Sequence, residues 1–170
     1  MNIIFKLLLT LNATSWMVLV YVMKENISIL TLPPFMFHIA LVILILSLSW
    51  SALLLSRSFG EEQLPSCKEI SLADNEFLPV YLGYFFVSLS IPNCYTMVAV
   101  YVIVFVFTFL SQTQYFNPAY LLFGYHYYHI MTQSGTSLFL IKYGKVIRNK
   151  EQLELKELSR INDTTFIERR

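Results

Sequence analysis

The side chains best suited to acid–base or metal chemistry in this sequence are three histidines, His38, His126 and His129. His126 and His129 would share one face of a helix at their spacing of three, but on a strand they would point to opposite sides. No carboxylate or cysteine lies beside them in the sequence to complete a metal or acid–base site. His38 lies near one end of an apolar run, where an ionisable side chain in a membrane is often functional.

Other signatures of catalysis are missing from the sequence. The two cysteines, Cys67 and Cys94, have no partner at a metal-binding spacing, and there is no nucleophile motif or glycine-rich phosphate loop. We therefore expect that the protein is not an enzyme and that it has no catalytic residue, no metal and no cofactor. The net charge is only +1, and lysine and arginine are not clustered on one face, so direct nucleic-acid binding is not expected either.

The composition is that of a membrane protein. Hydrophobic residues make up 56% of the chain and charged residues 14%, against about 25% charged residues in a soluble domain. A transmembrane helix needs about 20 apolar residues, and long apolar runs fill most of residues 1–114. We expect an all-α membrane protein, a four-helix transmembrane bundle with a small cytoplasmic β-hairpin and helical C-terminal segment; the spans are predicted at about 3–23, 34–56, 77–91 and 95–112.

The apolar stretch from Phe77 onward is too long for one span and is interrupted at Ile91–Cys94, where Pro92 and Asn93 favour a turn. The alternative is one long, kinked helix. Cytoplasmic loops collect lysine and arginine. Four spans with both termini inside leave only Lys24 outside, whereas three spans would expose the basic tail. A multi-pass membrane protein, with both termini cytoplasmic and lipids around it, is the expectation.

Small residues in the predicted spans indicate helix packing, because they let helices approach closely in lipid. Ser47 and Ser51 have small-xxx-small spacing in the second span, and Gly83 lies in the third. We expect these residues to form contacts within the chain in preference to a seam between copies.

Residues 115–170 read as a cytoplasmic segment with a β-hairpin and a charged tail. The turn at 133–136 could pair Tyr125–Thr132 with Ser137–Ile141, and a second hairpin could turn at Tyr143–Gly144 toward Lys145–Arg148, giving a sheet of about three strands. From Asn149 to Arg170 a short amphipathic helix or a solvated tail is expected. The residues that we expect to bind a partner are Tyr125, Tyr127, Tyr143, Lys145, Arg148, Leu155 and Leu158.

Three stretches carry a family resemblance: Tyr115-Phe116-Asn117-Pro118, the Gly124–Tyr128 stretch, and Gly135 to Arg148. With the short-looped apolar spans, they resemble the KwaA family, the membrane subunits of the bacterial Kiwa anti-phage defence system. The resemblance implies a homo-oligomer in the inner membrane that senses infection and works with a cytoplasmic DNA-binding effector, KwaB. It implies no catalytic residues.

Three functional hypotheses follow. The first is a membrane sensor or scaffold that recruits or activates a cytoplasmic effector through its C-terminal segment. The second is a small oligomeric channel or pore, and the third is an accessory subunit of a transport complex.

Overall fold

A computed structural model describes residues 3–28, 33–56, 61–62, 67–111, 117–133, 135–147, 158–162 and 164–168. The chain divides into two compact units. The helical unit comprises residues 2–50 and 77–117, and the sheet unit comprises 51–76 and 118–170. The segment between the second and third helices thus belongs with the C-terminal residues.

Five helices are described: α1 (Ile3–Lys24), α2 (Pro34–Ser56), α3 (Leu78–Ser90), α4 (Cys94–Leu110) and α5 (Pro118–Leu122). The first four begin and end within two residues of the predicted bounds. Asn93 caps α4, since its side chain accepts a hydrogen bond from the Thr96 N–H at 2.9 Å. The short break between α3 and α4 therefore forms where Pro92 and Asn93 predict a turn.

The expected fold class is wrong in two respects. Among the described helices, α1 and α2, with 22 and 23 residues, are the two that are long and apolar enough to cross a membrane, judged by length and composition. Helices α3 and α4 have 13 and 17 residues; at ~1.5 Å per residue they reach roughly 20 and 26 Å, short of the ~30 Å hydrocarbon core. The chain also contains a mixed β-sheet, so it is not an all-α four-helix transmembrane bundle.

Helix α1 is central to the helical unit. Its Met17 and Tyr21 pack in one buried cluster with Ile91 and Met97. At its C-terminal end, Lys24 donates a hydrogen bond to the Ile91 carbonyl. At its other end the Lys6 ammonium lies 4.7 Å from the centre of the Phe109 ring. Helix α4 therefore runs antiparallel along the length of α1, and the α3–α4 turn lies at the C-terminal end of α1.

The sheet has six strands in the order β1–β5–β6–β4–β3–β2, and the outermost, β1, is two residues long. The strands are β1 (Glu61–Glu62), β2 (Cys67–Leu72), β3 (Tyr125–Thr132), β4 (Ser137–Tyr143), β5 (Leu158–Arg160) and β6 (Thr165–Glu168). The predicted hairpin of β3 and β4 is confirmed, with Tyr125 opposite Tyr143 and Met131 opposite Ser137. Strand β6 runs parallel to β4, which makes the sheet mixed.

The predicted second hairpin is not formed. The chain turns at Gly144, with φ +110°, but Lys145 to Ile147 do not pair with β4. Instead the Ile147 N–H donates to the Tyr128 hydroxyl at 2.9 Å, and its side chain joins the buried core of the sheet. Strand β4 already pairs with β3 on one edge and with β6 on the other, so neither edge is open to residues 145–147.

The predicted amphipathic helix is also wrong where the structure describes it. Leu158–Arg160 and Thr165–Glu168 are antiparallel strands, and residues 148–157 lie outside the described residues. The core of the sheet explains the strands, since Leu158 and Phe166 complete a cluster with residues from β3, β4 and the following turn: Tyr128, Ile130, Leu138, Leu140 and Ile147.

Candidate functional site

The predicted partner-binding residues separate into buried and exposed groups. Tyr125, Tyr127 and Leu158 are buried in the sheet unit, so a partner could reach them only if the sheet opened. Tyr143 and Lys145, at the end of β4 and in the turn after it, are exposed. Arg148 and Leu155 lie outside the described residues. The exposed part of the predicted surface is therefore the end of β4.

The buried tyrosines are held by other aromatic rings. Tyr125 meets Tyr143 edge-on with ring centres 5.3 Å apart, and Tyr127 stacks with Tyr120 of α5 at 6.4 Å. Gly124, at φ +80°, makes the turn from α5 into β3. The aromatic stretch thus builds the α5–β3 corner of the sheet unit.

The residues predicted to pack helices together lie at exposed positions of α2 and α3. Ser47 and Ser51 are exposed, while the buried positions of α2 include Ile45, Ser49 and Leu53. A Cβ atom added to Gly83 would meet nothing within 4 Å. Ser47 and Gly83 therefore show no close helix contact within the part of the chain that the structure describes, whereas a packing role for Ser51 stays a prediction.

Two histidine–carboxylate pairs join β3 to the turn that follows β2. His126 Nδ1 lies 2.6 Å from Asp74 Oδ2, and His129 Nε2 lies 2.6 Å from Glu76 Oε1. Asp74 also accepts the Tyr127 N–H through Oδ1 at 2.7 Å. Since β3 is a strand, the two histidines leave opposite faces, and each meets its own carboxylate.

The pair at His126 is part of a row of charges across the sheet. His126 lies opposite Lys142 on β4, and Lys142 forms an ion pair with Glu168 on β6. Glu168 also accepts the Tyr143 N–H at 3.3 Å, much as Asp74 accepts that of Tyr127. Asp74 and Glu168 thus each accept one backbone N–H, from β3 and from β4 respectively. We call Asp74, His126, Lys142 and Glu168 the charged row.

The chemistry open to the charged row is limited. An aspartate that orients a histidine is one half of a general-base arrangement, which also needs a substrate hydroxyl or a nucleophile within reach. Among the described residues, no group of three or more histidine, cysteine or acidic side chains is placed to hold a metal ion. These four side chains fit best as a half-buried polar network that fixes the turn after β2 against β3 and holds the end of β4, next to Tyr143.

Two tyrosines of the sheet unit have perturbed acidity. Burial raises the pKa of Tyr120 above its ordinary value of 10.0, and the neighbouring Tyr125 adds to the shift. Burial also raises the pKa of Tyr128, with smaller contributions from the charges of Asp74 and Glu168, while the hydrogen bond from Ile147 opposes them. Both phenols are therefore held in the neutral form.

A buried cluster of polar side chains lies inside the helical unit. The Ser49 hydroxyl donates to Asn12 Oδ1 at 2.9 Å and accepts from Asn117 Nδ2 at 3.1 Å. Asn117 Oδ1 in turn accepts from Trp16 Nε1 at 3.3 Å. Asn12 Nδ2 has no hydrogen-bond partner in the part of the chain that the structure describes. We call Asn12, Trp16, Ser49 and Asn117 the amide cluster.

A second polar line on α1 faces α4. Thr10 and Thr14 are fully buried, and each donates to the carbonyl four residues earlier, Lys6 O and Thr10 O, at 2.9 Å. The Thr14 hydroxyl also lies 3.2 Å from the Tyr101 hydroxyl. His38 Nε2 is likewise buried, and it has no partner among the described residues.

Sequence reasoning missed the carboxylates of both histidine pairs and the amide cluster. Asp74 and His126 are 52 residues apart, so only the β2–β3 pairing brings them together. Asn117 precedes a proline, which is typical of a turn, yet its side chain is buried. The one available signal was Asn12, a carboxamide in the middle of an apolar helix, where a polar side chain needs a partner.

Comparison with known proteins gives one family. The sequence model of the anti-phage protein KwaA matches residues 5–167, nearly the whole chain. No curated protein matches the chain, and no solved structure does. The match covers both units, including the stretches that carry the resemblance. This protein belongs to the KwaA family of anti-phage proteins.

Proposed function

We propose that the protein is an integral inner-membrane subunit of the bacterial Kiwa system, which detects infection at the membrane and recruits or activates a cytoplasmic effector of the KwaB kind. The role is one of sensing and scaffolding and involves no catalysis. The observation that carries the proposal is the division of an anti-phage protein into an apolar helical unit and a sheet unit with its own core.

The outer surface of the helical unit supports insertion into a bilayer. Large apolar side chains on α2, α3 and α4 are more than half exposed, among them Ile43, Phe86, Val98 and Phe107. Helices that are apolar on all sides are typical of membranes, and such a surface would associate in water. Contact with lipid would keep this apolar surface away from water.

The proposed topology places both termini in the cytoplasm. Helices α1 and α2 cross the membrane, and the shorter α3–α4 hairpin enters beside α1 and returns to the same side. The contact of Lys24 with the Ile91 carbonyl supports this arrangement, because it puts the hairpin turn at the outer end of α1. The basic residues other than Lys24 then lie inside, as the distribution of positive charge in membrane proteins requires.

The sheet unit supports recruitment of a protein partner. Tyr143 is 39% exposed and Lys145 is exposed beside it, next to the charged row. Tyrosine is enriched in protein–protein contacts, and the charge of Lys145 beside it would favour an acidic surface on the partner. On helices α2 and α3, the exposed Ser47, Ser51 and Gly83 are the positions at which a second copy could approach closely to form the homo-oligomer.

The experiment is capture of the KwaB-like effector by the full-length protein in detergent. We expect the double substitution Tyr143→Ala and Lys145→Glu to abolish capture, while Lys68→Glu, which changes an exposed lysine on β2, leaves it unchanged. Equal capture by both variants would exclude the end of β4 as the contact. Release of the wild-type protein from membranes by alkaline carbonate would exclude integral insertion.

A further inference from the structure

Asn117 occupies a position where the two units join in the sequence. It is the last residue of the helical unit, and Pro118 begins the C-terminal part of the sheet unit. Its side chain is 2% exposed and is bound by Trp16 of α1 and Ser49 of α2. The connection into the sheet unit is thus fixed, at its first residue, by side chains well inside the two longest helices.

We propose that Asn117 is a coupling residue, which transmits a change in the packing of α1 against α2 to the segment that enters the sheet unit. The inference rests on the proposed function, in which the helical unit senses infection and the sheet unit contacts the effector. It adds a regulatory device to that function, namely the route by which a change in the helical unit reaches the sheet unit.

The geometry makes this position sensitive to helix packing. Asn117 can keep both hydrogen bonds only while Trp16 and Ser49 hold their present separation, because hydrogen bonds weaken steeply with distance and angle. In a water-poor interior a broken bond is not replaced by solvent, so the amide must move to new partners. A shift of one helix therefore moves the start of the connecting segment.

The amide cluster also has an alternative arrangement available. Asn12 Nδ2 is a buried donor without an acceptor in the described part of the chain, although Asn12 Oδ1 accepts from Ser49. A rearrangement that gave Asn12 Nδ2 an acceptor would relieve an unfavourable burial, since an unpaired buried donor is costly. A second arrangement that pairs this donor would therefore compete with the present one.

Two substitutions test the coupling, with a matched control. Asn117→Leu removes both bonds at similar side-chain volume, and Ser49→Ala removes the hydroxyl that links the two asparagines. Ser47→Ala is the control. Ser47 lies on the same helix as Ser49 and is exposed, and its hydroxyl donates to the Leu44 carbonyl of that helix at 2.8 Å. A structural role in α2 alone would affect Ser47 and Ser49 similarly.

The first readout is thiol labelling of Ala119→Cys in full-length protein whose Cys67 and Cys94 are replaced by alanine. Ala119 is fully buried two residues after Asn117. We expect Asn117→Leu and Ser49→Ala to raise the labelling rate by about fivefold to tenfold, as the loss of a buried hydrogen bond allows, and Ser47→Ala to leave it unchanged. Unchanged rates in both cluster variants would overturn the proposal.

The second readout separates coupling from stability and from the proposed function. In cells challenged with phage, both cluster variants should lose protection while membrane content and effector capture stay at wild-type levels. Full protection by either variant would contradict coupling; if Asn117→Leu fails to accumulate, the milder Ser49→Ala decides. If the wild-type protein captures no effector, recruitment fails as a function, and the labelling rates still test the coupling.

Discussion

The two histidine–carboxylate pairs on β3 have the same 2.6 Å separation but different surroundings. The side chain of Asp74 is 16% exposed, whereas that of Glu76 is 47% exposed. Water screens an exposed pair, and Asp74 alone accepts a backbone N–H, that of Tyr127. Most of the stabilisation that holds the turn after β2 against β3 therefore comes from Asp74.

We predict that Asp74→Ala lowers the local stability of β3 by about 2 kcal/mol, because it leaves His126 and the Tyr127 N–H without their acceptor. Glu76→Ala, which removes the more exposed pair, should cost below ~0.5 kcal/mol. Hydrogen exchange of the β3 amides followed by mass spectrometry measures both. Equal losses in the two variants would show that burial and the backbone bond add nothing.

The buried tyrosines predict an alkaline limit to the stability of the sheet unit. Burial raises the pKa of Tyr120 and Tyr128 above 10.0 in the folded chain, so the folded state holds these protons more tightly than the unfolded state does. The resulting stabilisation is complete below the unfolded value and is lost as the pH rises through and above it.

Tyr120→Phe should therefore flatten the fall of stability above pH ~10 and change little at neutral pH. Tyr128→Phe should also flatten it, but at neutral pH it should cost about 1 kcal/mol, since the Ile147 N–H loses its acceptor. Thermal unfolding monitored by tyrosine circular dichroism across alkaline pH measures both. An alkaline fall of wild-type steepness in both variants would assign it to other groups.

At the scale of elements, two glycines make a matched pair. Gly124 turns the chain from α5 into β3 at φ +80°, and a Cβ there would lie 3.3 Å from Tyr143 Cε2. Gly83 lies in α3 with open space around its Cβ position. Left-handed backbone favours glycine, whereas a helix interior favours alanine.

We predict that Gly124→Ala destabilises the sheet unit by roughly 1–2 kcal/mol, whereas Gly83→Ala stabilises the helical unit by up to ~1 kcal/mol. Thermal unfolding in detergent gives both changes. Gly83→Ala also tests the packing role assigned to that residue: if copies approach closely at Gly83, the added methyl group will weaken the homo-oligomer in size-exclusion chromatography with light scattering, despite the better helix.

Elements defined by local signals were predictable, and those defined by distant pairing were not. The bounds of α1 to α4 follow from continuous apolar runs broken by proline and asparagine, and the β3–β4 hairpin follows from its turn. Strand β2 (Cys67–Leu72) could not be predicted, because its sequence contains charged residues and because its position at the edge of the sheet leaves most of it exposed. Strand β6 is defined by its parallel pairing with β4, which no local pattern reveals.

The candidate sites show the same division. Tyr143 and Lys145 could be chosen from the sequence as surface residues of a hairpin, but the burial of Tyr125 and Tyr127 depends on α5 and the aromatic contacts it brings. The charged row and the amide cluster join residues from three or more segments. Their members are ordinary side chains until the fold places them together.

For the whole molecule, the division into units gives the two cysteines different surroundings. Cys94 is exposed at the start of α4 in the helical unit, and Cys67 is at the start of β2 in the sheet unit, where its thiol donates to the Glu69 carbonyl at 2.8 Å. Both are thiols, so each can report the side of the membrane on which it lies. In the proposed topology Cys94 lies at the turn of the α3–α4 hairpin, which reaches the outer head-group region at the end of α1, and Cys67 lies in the cytoplasm.

We predict that a membrane-impermeant maleimide added to spheroplasts labels the Cys67→Ala variant, which retains Cys94, and leaves the Cys94→Ala variant unlabelled. Both should be labelled once the membranes are disrupted, with Cys67 reacting more slowly because it is partly buried and hydrogen-bonded. Labelling of Cys67 in intact spheroplasts would place the sheet unit outside, where no cytoplasmic effector could reach Tyr143 and Lys145. Protection of Cys94 would instead mean that the α3–α4 turn stays within the bilayer or faces the cytoplasm, and the hairpin would then have to be oriented anew around its contact with Lys24.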